Sequence, residues 1–518
     1  MEDLEFLIEK LEKELEKIEA KPEFEEAGEV IKVGDGIVWI SGLYKAFASE
    51  ILIVEDKNVP LLALNLEEGL IGAVALSDFS KLNPGDIVKR TKKIIQVPVG
   101  ESLIGRVIDP LGRPLDDLGN IETNEFYPLE RKAPIVIERE PVNTPLHTGI
   151  KIIDALIPIG RGQRELILGD RQIGKTSIAL DVILNQKNDP LETPICIYVA
   201  IGQKMSKIRR LYEILKKEGA LKYTIIVATT SEDPPVLLYL APYAGCSIGE
   251  YFRDKGKDAL VIYDDLTKHA WAWRELSLLL KRPAGREAYP GDIFYTHSRL
   301  LERAAKLKNG GSLTALPICE TQLGDISAYI PTNLISITDG QIYLETDLFK
   351  ANFRPAINIG LSVSRVGSKA QTKVMKKIAG KLKLDLAQFR ELEEFAKLST
   401  ELPPEISQKI KRGKVLMEIL KQENFKPLTF EKIAILIYAG NNGFFDDFEL
   451  TQIKEIENKL LNYLETEKRE ILEEIIAKKD LDEDLENKIK EALIYFLNKL
   501  KNEDKKFIEF KKTDKIFN

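Results

Sequence analysis

Residues 165 to 177 read Glu-Leu-Ile-Leu-Gly-Asp-Arg-Gln-Ile-Gly-Lys-Thr-Ser. The apolar run Leu166-Ile167-Leu168 predicts a buried strand. Gly169, Asp170, Arg171, Gln172, Ile173, Gly174, Lys175 and Thr176 then fit G-x-x-x-x-G-K-[ST], a phosphate-binding loop. Its glycines let backbone N–H groups converge on phosphate oxygens, and Lys175 reaches the outer phosphates. Thr176 offers a hydroxyl to Mg²⁺, and the helix opening at Ser177 adds its positive N-terminal dipole. No Gly or Pro breaks Ser177 to Leu184, so that helix is predicted to continue.

The surroundings extend this fold. Ile195 to Ile201, Thr224 to Thr229 and Ala259 to Tyr263 are apolar runs separated by helix-length segments, which predicts a parallel sheet covered on both faces. Ligands bind at the carboxyl ends of such strands, where Gly169, Gln203, Thr229 and Asp264 emerge. Upstream, Gly28 to Val97 consists of short β-branched runs punctuated by Gly, Asn and Asp. Val30 to Val33 and Ile37 to Ile40 form a hairpin around Gly34-Asp35-Gly36, and Ile51 to Val54, Leu61 to Leu64, Gly72 to Leu76 and Ile87 to Thr91 continue it into a small β-barrel. Its few aromatic residues, Trp39, Tyr44, Phe47 and Phe79, favour a structural collar over a nucleic-acid platform. Beyond about residue 375 helices are expected at Lys376 to Ala396, Ile406 to Gln422, Phe430 to Tyr438, Leu450 to Lys478 and Leu485 to Lys501, with a solvated tail after Asn502. The chain is thus expected to divide into an N-terminal amphipathic helix within 1–25, a barrel at 26–96, a nucleotide-binding α/β domain at 97–375 and an all-α domain at 376–518. The apolar stripe of the first helix, Leu4, Leu7, Ile8, Leu11, Leu15 and Ile18, either folds back on its own domain or docks on another subunit.

Composition narrows the class. The 518 residues carry 75 basic and 82 acidic side chains, a net charge of -7, so no basic excess points to nucleic acid. Cys196, Cys246 and Cys319 are odd in number and far apart, which predicts buried thiols in place of a disulfide or zinc framework. The acidic start Met-Glu-Asp-Leu-Glu is unlike a signal peptide, and no apolar stretch approaches membrane-spanning length; a chain facing the cytosol is expected, meeting a membrane only through partners.

Three further positions carry chemistry. Leu260-Val261-Ile262-Tyr263-Asp264 delivers a carboxylate that would hold a Mg²⁺-bound water opposite Thr176, while the adjacent Asp265 suits a helix N-cap. Gln203 stands at the strand end where a catalytic carboxylate would polarise water. An amide there cannot accept a proton at neutral pH, so binding without turnover is expected. Arg365 closes the run Gly360-Leu361-Ser362-Val363-Ser364; it could stabilise a phosphoryl group in a neighbouring subunit's site, but alone it reads first as a surface salt bridge.

Gly-Asp-Arg-Gln-Ile-Gly-Lys-Thr, Tyr-Val-Ala-Ile-Gly-Gln-Lys at 198–204 and Ile-Tyr-Asp-Asp-Leu-Thr-Lys at 262–268 resemble the alpha subunits of F-type ATP synthases. So do Arg-Pro-Ala-Gly-Arg-Glu-Ala-Tyr-Pro-Gly-Asp-Ile-Phe-Tyr at 282–295, Ser-Ile-Thr-Asp-Gly-Gln-Ile at 336–342 and Arg-Pro-Ala-Ile-Asn-Ile-Gly-Leu-Ser-Val-Ser-Arg-Val-Gly-Ser at 354–368. The resemblance implies a β-barrel crown, a RecA-like nucleotide domain and a helical domain. Three such subunits would alternate with three beta subunits around a gamma shaft, the N-terminal helix docking on delta. It implies a non-catalytic Mg-ATP site with adenine-side contacts from Arg354, Pro355 and Gln422. It also implies that Arg365, with Ser336 and Ser362 near it, completes a neighbouring beta catalytic site at the cytoplasmic face of the membrane. A self-sufficient homohexameric secretion ATPase would need a carboxylate at 203, and an RNA translocase would need an aromatic, basic barrel. The sequence departs from the resemblance at Lys421-Gln422-Glu423-Asn424, where a second Gln is expected, at Pro234-Pro235, and in its Lys-rich end after Asp480.

Overall fold

The computed structural model describes residues 26–398 and 403–514, and side chains over 26–396 and 403–500. The amphipathic helix expected at 4–18 lies outside the described residues. Two compact units emerge, one holding the barrel and the other the described residues from Gln96 onward, Leu279–Lys281 apart.

In the first unit β1 (Ala27–Gly34) and β2 (Ile37–Ser41) pair antiparallel across Asp35 and Gly36, both at positive φ. That is the backbone a two-residue hairpin turn requires. With β3 (Glu50–Val54), β4 (Val59–Glu67), β5 (Leu70–Ala75) and β6 (Ile87–Ile94) they close in the order β1-β2-β5-β4-β3-β6. Strand alternation sends Val30, Ile40, Leu52, Leu61, Ala73 and Val88 inside, and closure removes the exposed edges.

The second unit is built on an eight-stranded sheet. Its strands are β7 (Val107–Ile108), β8 (Leu166–Gly169), β9 (Ile195–Gln203), β10 (Thr224–Thr230), β11 (Ala259–Asp264), β12 (Leu313–Glu320), β13 (Gly340–Tyr343) and β14 (Val363–Ser364). The order is β14-β13-β8-β12-β11-β9-β10-β7, and only the β13–β14 pair is antiparallel. The central strands are buried along nearly their whole length, as a doubly covered parallel sheet demands. All three cysteines are free and buried, and burial pushes the Cys319 thiol up to about 12.

The C-terminal region is helical, with corrections to the expected bounds. The span expected at 376–396 is two helices, Lys373–Ala379 and Leu382–Leu398, parted at Gly380. The span expected at 450–478 splits into Ile453–Glu467 and Arg469–Lys478 at Lys468, whose backbone leaves the helical region at φ -135 and ψ 34. The last helix, Glu483–Asp514, continues past the end expected at Lys501. Neither break carries Pro, and the long-chain charged residues around them are good helix formers, so the lone Gly380 and Lys468 leave a continuous helix as the sequence reading. Sheet residues such as Ile167 and Ile262 share one apolar cluster with Ile433, Leu460 and Phe496 of the helices, which places the helical region against the nucleotide-binding layers. Among the described residues no helix is long and apolar enough to cross a membrane.

Candidate functional site

The phosphate loop leaves β8 at Gly169, whose φ is 154; a Cβ there would stand 2.6 Å from Ile173 Cδ1 and 2.7 Å from the Leu344 carbonyl oxygen. Gly174, at φ 107, is the N-cap of the helix Lys175–Asn185. Both positions ask for a residue without a side chain. No side chain caps this helix, so its first N–H groups can meet an anion. Asp170 and Arg171 brace the loop. The Asp170 carboxylate accepts from Thr321 Oγ1 (2.7 Å), Thr346 Oγ1 (2.8 Å) and the Gly324 N–H (2.9 Å). Burial raises its pKa, but these donors outweigh it and hold the carboxyl below its ordinary range. Arg171 Nε pairs with Glu320 Oε2 at 2.8 Å.

The Lys175 ammonium is turned onto the loop, donating to the Gly169 carbonyl at 2.6 Å and the Asp170 carbonyl at 2.5 Å. Burial lowers its pKa, against the pull of Glu320, Asp265 and Asp264. Thr176 Oγ1 donates to Asp264 Oδ2 at 2.8 Å. The same oxygen accepts from Tyr198 OH at 2.5 Å and lies 3.6 Å from Lys207 Nζ. Gln203 Nε2 donates to the Asp264 carbonyl (3.0 Å), and its Oε1 accepts from Lys207 Nζ (3.0 Å). The side-by-side hydroxyl and carboxylate of Thr176 and Asp264 are hard oxygen donors of the kind Mg²⁺ takes. Asp265 does the capping, accepting the Lys268 N–H at 2.9 Å, and burial pushes its carboxyl up to about 7 despite Lys268.

Gln172, Lys175, Thr176, Ser177, Gln203 and Asp264 line one polar cleft of about 900 Å³. Gly174, Phe349, Arg354 and Asn424 line both this cleft and a narrower crevice of about 30 Å³, making one continuous site. The crevice walls are Ile150, Ile173, Ile178, Phe349 and Pro355, with the Arg354 guanidinium 4.8 Å from the Phe349 ring centroid. Gln422 also lines it, but its amide is committed to backbone. Oε1 accepts the Lys151 N–H (2.9 Å), and Nε2 donates to the Gly149 and Lys426 carbonyls (2.7 and 2.8 Å). Sequence reasoning missed Tyr198, Lys207 and Phe349. A tyrosine in the strand paired beside β11 was the one available signal.

The other expected group lies apart from this cleft. Arg365 is exposed; its N–H donates to the Asp339 carbonyl (2.8 Å) and its Nη2 to the Ile335 carbonyl (3.0 Å). Ser336 is exposed on the helix Tyr329–Ile337, its hydroxyl bonded back to the Thr332 carbonyl (3.0 Å). Ser362 is not exposed beside them. Its hydroxyl is fully buried, donating to the Asn358 carbonyl (2.6 Å) and accepting the Tyr343 N–H (3.0 Å). It pins the segment that leads through the strand Val363–Ser364 to Arg365.

Sequence models of the ATP synthase alpha/beta family match its beta-barrel domain at residues 23–92, its nucleotide-binding domain at 149–364 and its C-terminal domain at 371–496. The chain is also similar to ATP synthase subunit alpha of Aquifex aeolicus (strain VF5), 56% identical over 495 residues that span 95% of this chain and 98% of that protein. Barrel, phosphate loop, Thr176–Asp264 pair and helical region thus fall in matching order, and the chain belongs to the ATP synthase alpha subunits.

Proposed function

We propose that this chain holds Mg-ATP without hydrolysing it and completes the catalytic site of an adjacent beta subunit with Arg365. Gln203 carries the reading. Its amide occupies the strand end where a general base belongs, and both of its polar atoms are engaged. Of the two carboxylates that line the cleft, Asp264 accepts from Thr176 and Tyr198, and Glu320 is held by Arg171. Thr176 and Asp264 would hold Mg²⁺, which when bound supplies positive charge against the phosphate oxygens. Lys175 would exchange its two loop carbonyls for phosphate oxygens, and Arg354, Pro355 and Gln422 would frame the base.

Arg365, exposed and anchored through its own backbone, suits a guanidinium lent in trans to charge developing on a phosphoryl group, with Ser336 beside it. Ser362 serves by fixing that segment. The family resemblance supports three such chains alternating with three beta subunits around gamma, at the cytoplasmic face of the membrane. The N-terminal helix would dock on delta, and ATP chemistry would couple to H⁺ or Na⁺ transport.

Calorimetry and a turnover assay on the purified chain test this reading. Mg-dependent ATP binding near one site per chain with negligible turnover is expected. Robust hydrolysis by the chain alone would overturn it and favour a self-sufficient homohexameric ATPase.

A further inference from the structure

Asp181 has no part in the site as described so far. It lies on the helix Lys175–Asn185 three residues after Ile178, which itself follows Gly174 by four, so all three share one face, and all three line the apolar crevice. The residue is 6% exposed, and its Oδ1 is buried without a hydrogen-bond partner. An orphaned buried acceptor costs stability unless a ligand or water supplies a donor. Gln422, the side chain expected to read the base, has both of its amide N–H groups spent on the Gly149 and Lys426 carbonyls.

On the reading that this cleft binds a purine nucleotide, we infer that Asp181 is the residue that selects the base, accepting a hydrogen bond from the exocyclic 6-amino group of adenine. Geometry and chemistry agree. A 6-amino purine brings a donor to the orphaned oxygen, whereas a 6-keto purine brings a second acceptor against it. Burial pushes the carboxyl up to about 7, against the Phe425 N–H, yet a carboxyl oxygen remains an acceptor in either protonation state. The flat apolar walls suit a ring, and the crevice in its present width holds about one water, so an entering base must part Phe349 from the 422–424 segment.

The test is calorimetric titration of the full chain at pH 8 with the Mg²⁺ complexes of ATP, ITP and purine riboside triphosphate, which lacks the 6-amino group. Wild type is expected to bind ATP about tenfold or more tightly than either analogue, the scale of one hydrogen bond gained or lost. In Asp181→Ala that preference collapses to within about threefold, mainly through weaker ATP binding, because ITP never made the bond; Asp181→Asn, whose amide keeps an acceptor and adds a donor for a 6-keto group, narrows it mainly through tighter ITP binding. If the variants fold poorly, the wild-type analogue series decides alone. Equal wild-type affinity for ATP and both analogues would overturn the assignment. So would variants that keep the wild-type ratio while losing thermal stability, which would mark Asp181 as a purely structural tie. Binding without base discrimination defeats this inference only; no nucleotide binding at all defeats the proposed function as well.

Discussion

The two ends of the nucleotide site are built in opposite ways. The phosphate end is almost contiguous in the chain, running from Gly169 to Ser177, and its shape is set by local backbone: left-handed glycines, an uncapped helix and a lysine resting on its own loop. The base end draws on Ile150, Phe349 and Pro355, far apart in the sequence of the nucleotide-binding layers, and on Gln422, which the packed helical region brings against them. The lesson is that one end can be damaged chemically with the fold intact, whereas the other is inseparable from the fold.

The largest effect expected from breaking this contrast lies behind the base end. Lys151 Nζ donates to Glu457 Oε1 at 2.6 Å with both side chains essentially unexposed, and the Lys151 N–H holds Gln422. Glu457→Ala strands a buried ammonium and should cost about 3–5 kcal/mol in denaturant unfolding. A loss below 1 kcal/mol would mean that the helical region does not support the base end as described.

At the phosphate end, Lys175→Ala should weaken Mg-ATP binding about 100-fold or more, since it deletes charge-assisted bonds to phosphate. Calorimetry reads the loss, and unfolding should move less than in Glu457→Ala. A variant that binds normally would place the phosphates elsewhere.

The smallest effect separates two aspartates by pH. Asp170 is held below its ordinary range, so its contribution is lost only in acid below about 4. Asp181 is pushed up to about 7, so the folded state binds a proton that the unfolded state has released. Its contribution is therefore present below about 4 and declines as pH rises through about 7. Between pH 6 and 7 the stability difference between wild type and Asp181→Asn should shift by on the order of 1 kcal/mol, measured by urea titration. A flat difference across that range would contradict an uncompensated carboxyl at the base end.

Legibility in the sequence followed the same divide. The loop, Thr176 and Asp264 could be read because their conformations and spacing are local, and the barrel strands because alternation and the Asp35-Gly36 turn are local too. Gln422 and Ser362 could be located, but not the direction in which their polar atoms are spent, since Gly149, Lys151, Tyr343 and Asn358 reach them only through tertiary packing. Asp181 lay within a run that read simply as helix. The breaks at Gly380 and Lys468 escaped because the flanking residues favour helix on both sides.

The most direct test of the central claim is ATP turnover by an assembly of this chain with beta and gamma partners, comparing wild type with Arg365→Ala while titrating Mg-ATP into each chain alone. Activity on assembly is expected, with a fall of about 10³-fold or more in Arg365→Ala, the scale of a finger supplied in trans, and with the chain's own ATP binding unchanged. Full activity in the Arg365→Ala assembly would contradict it.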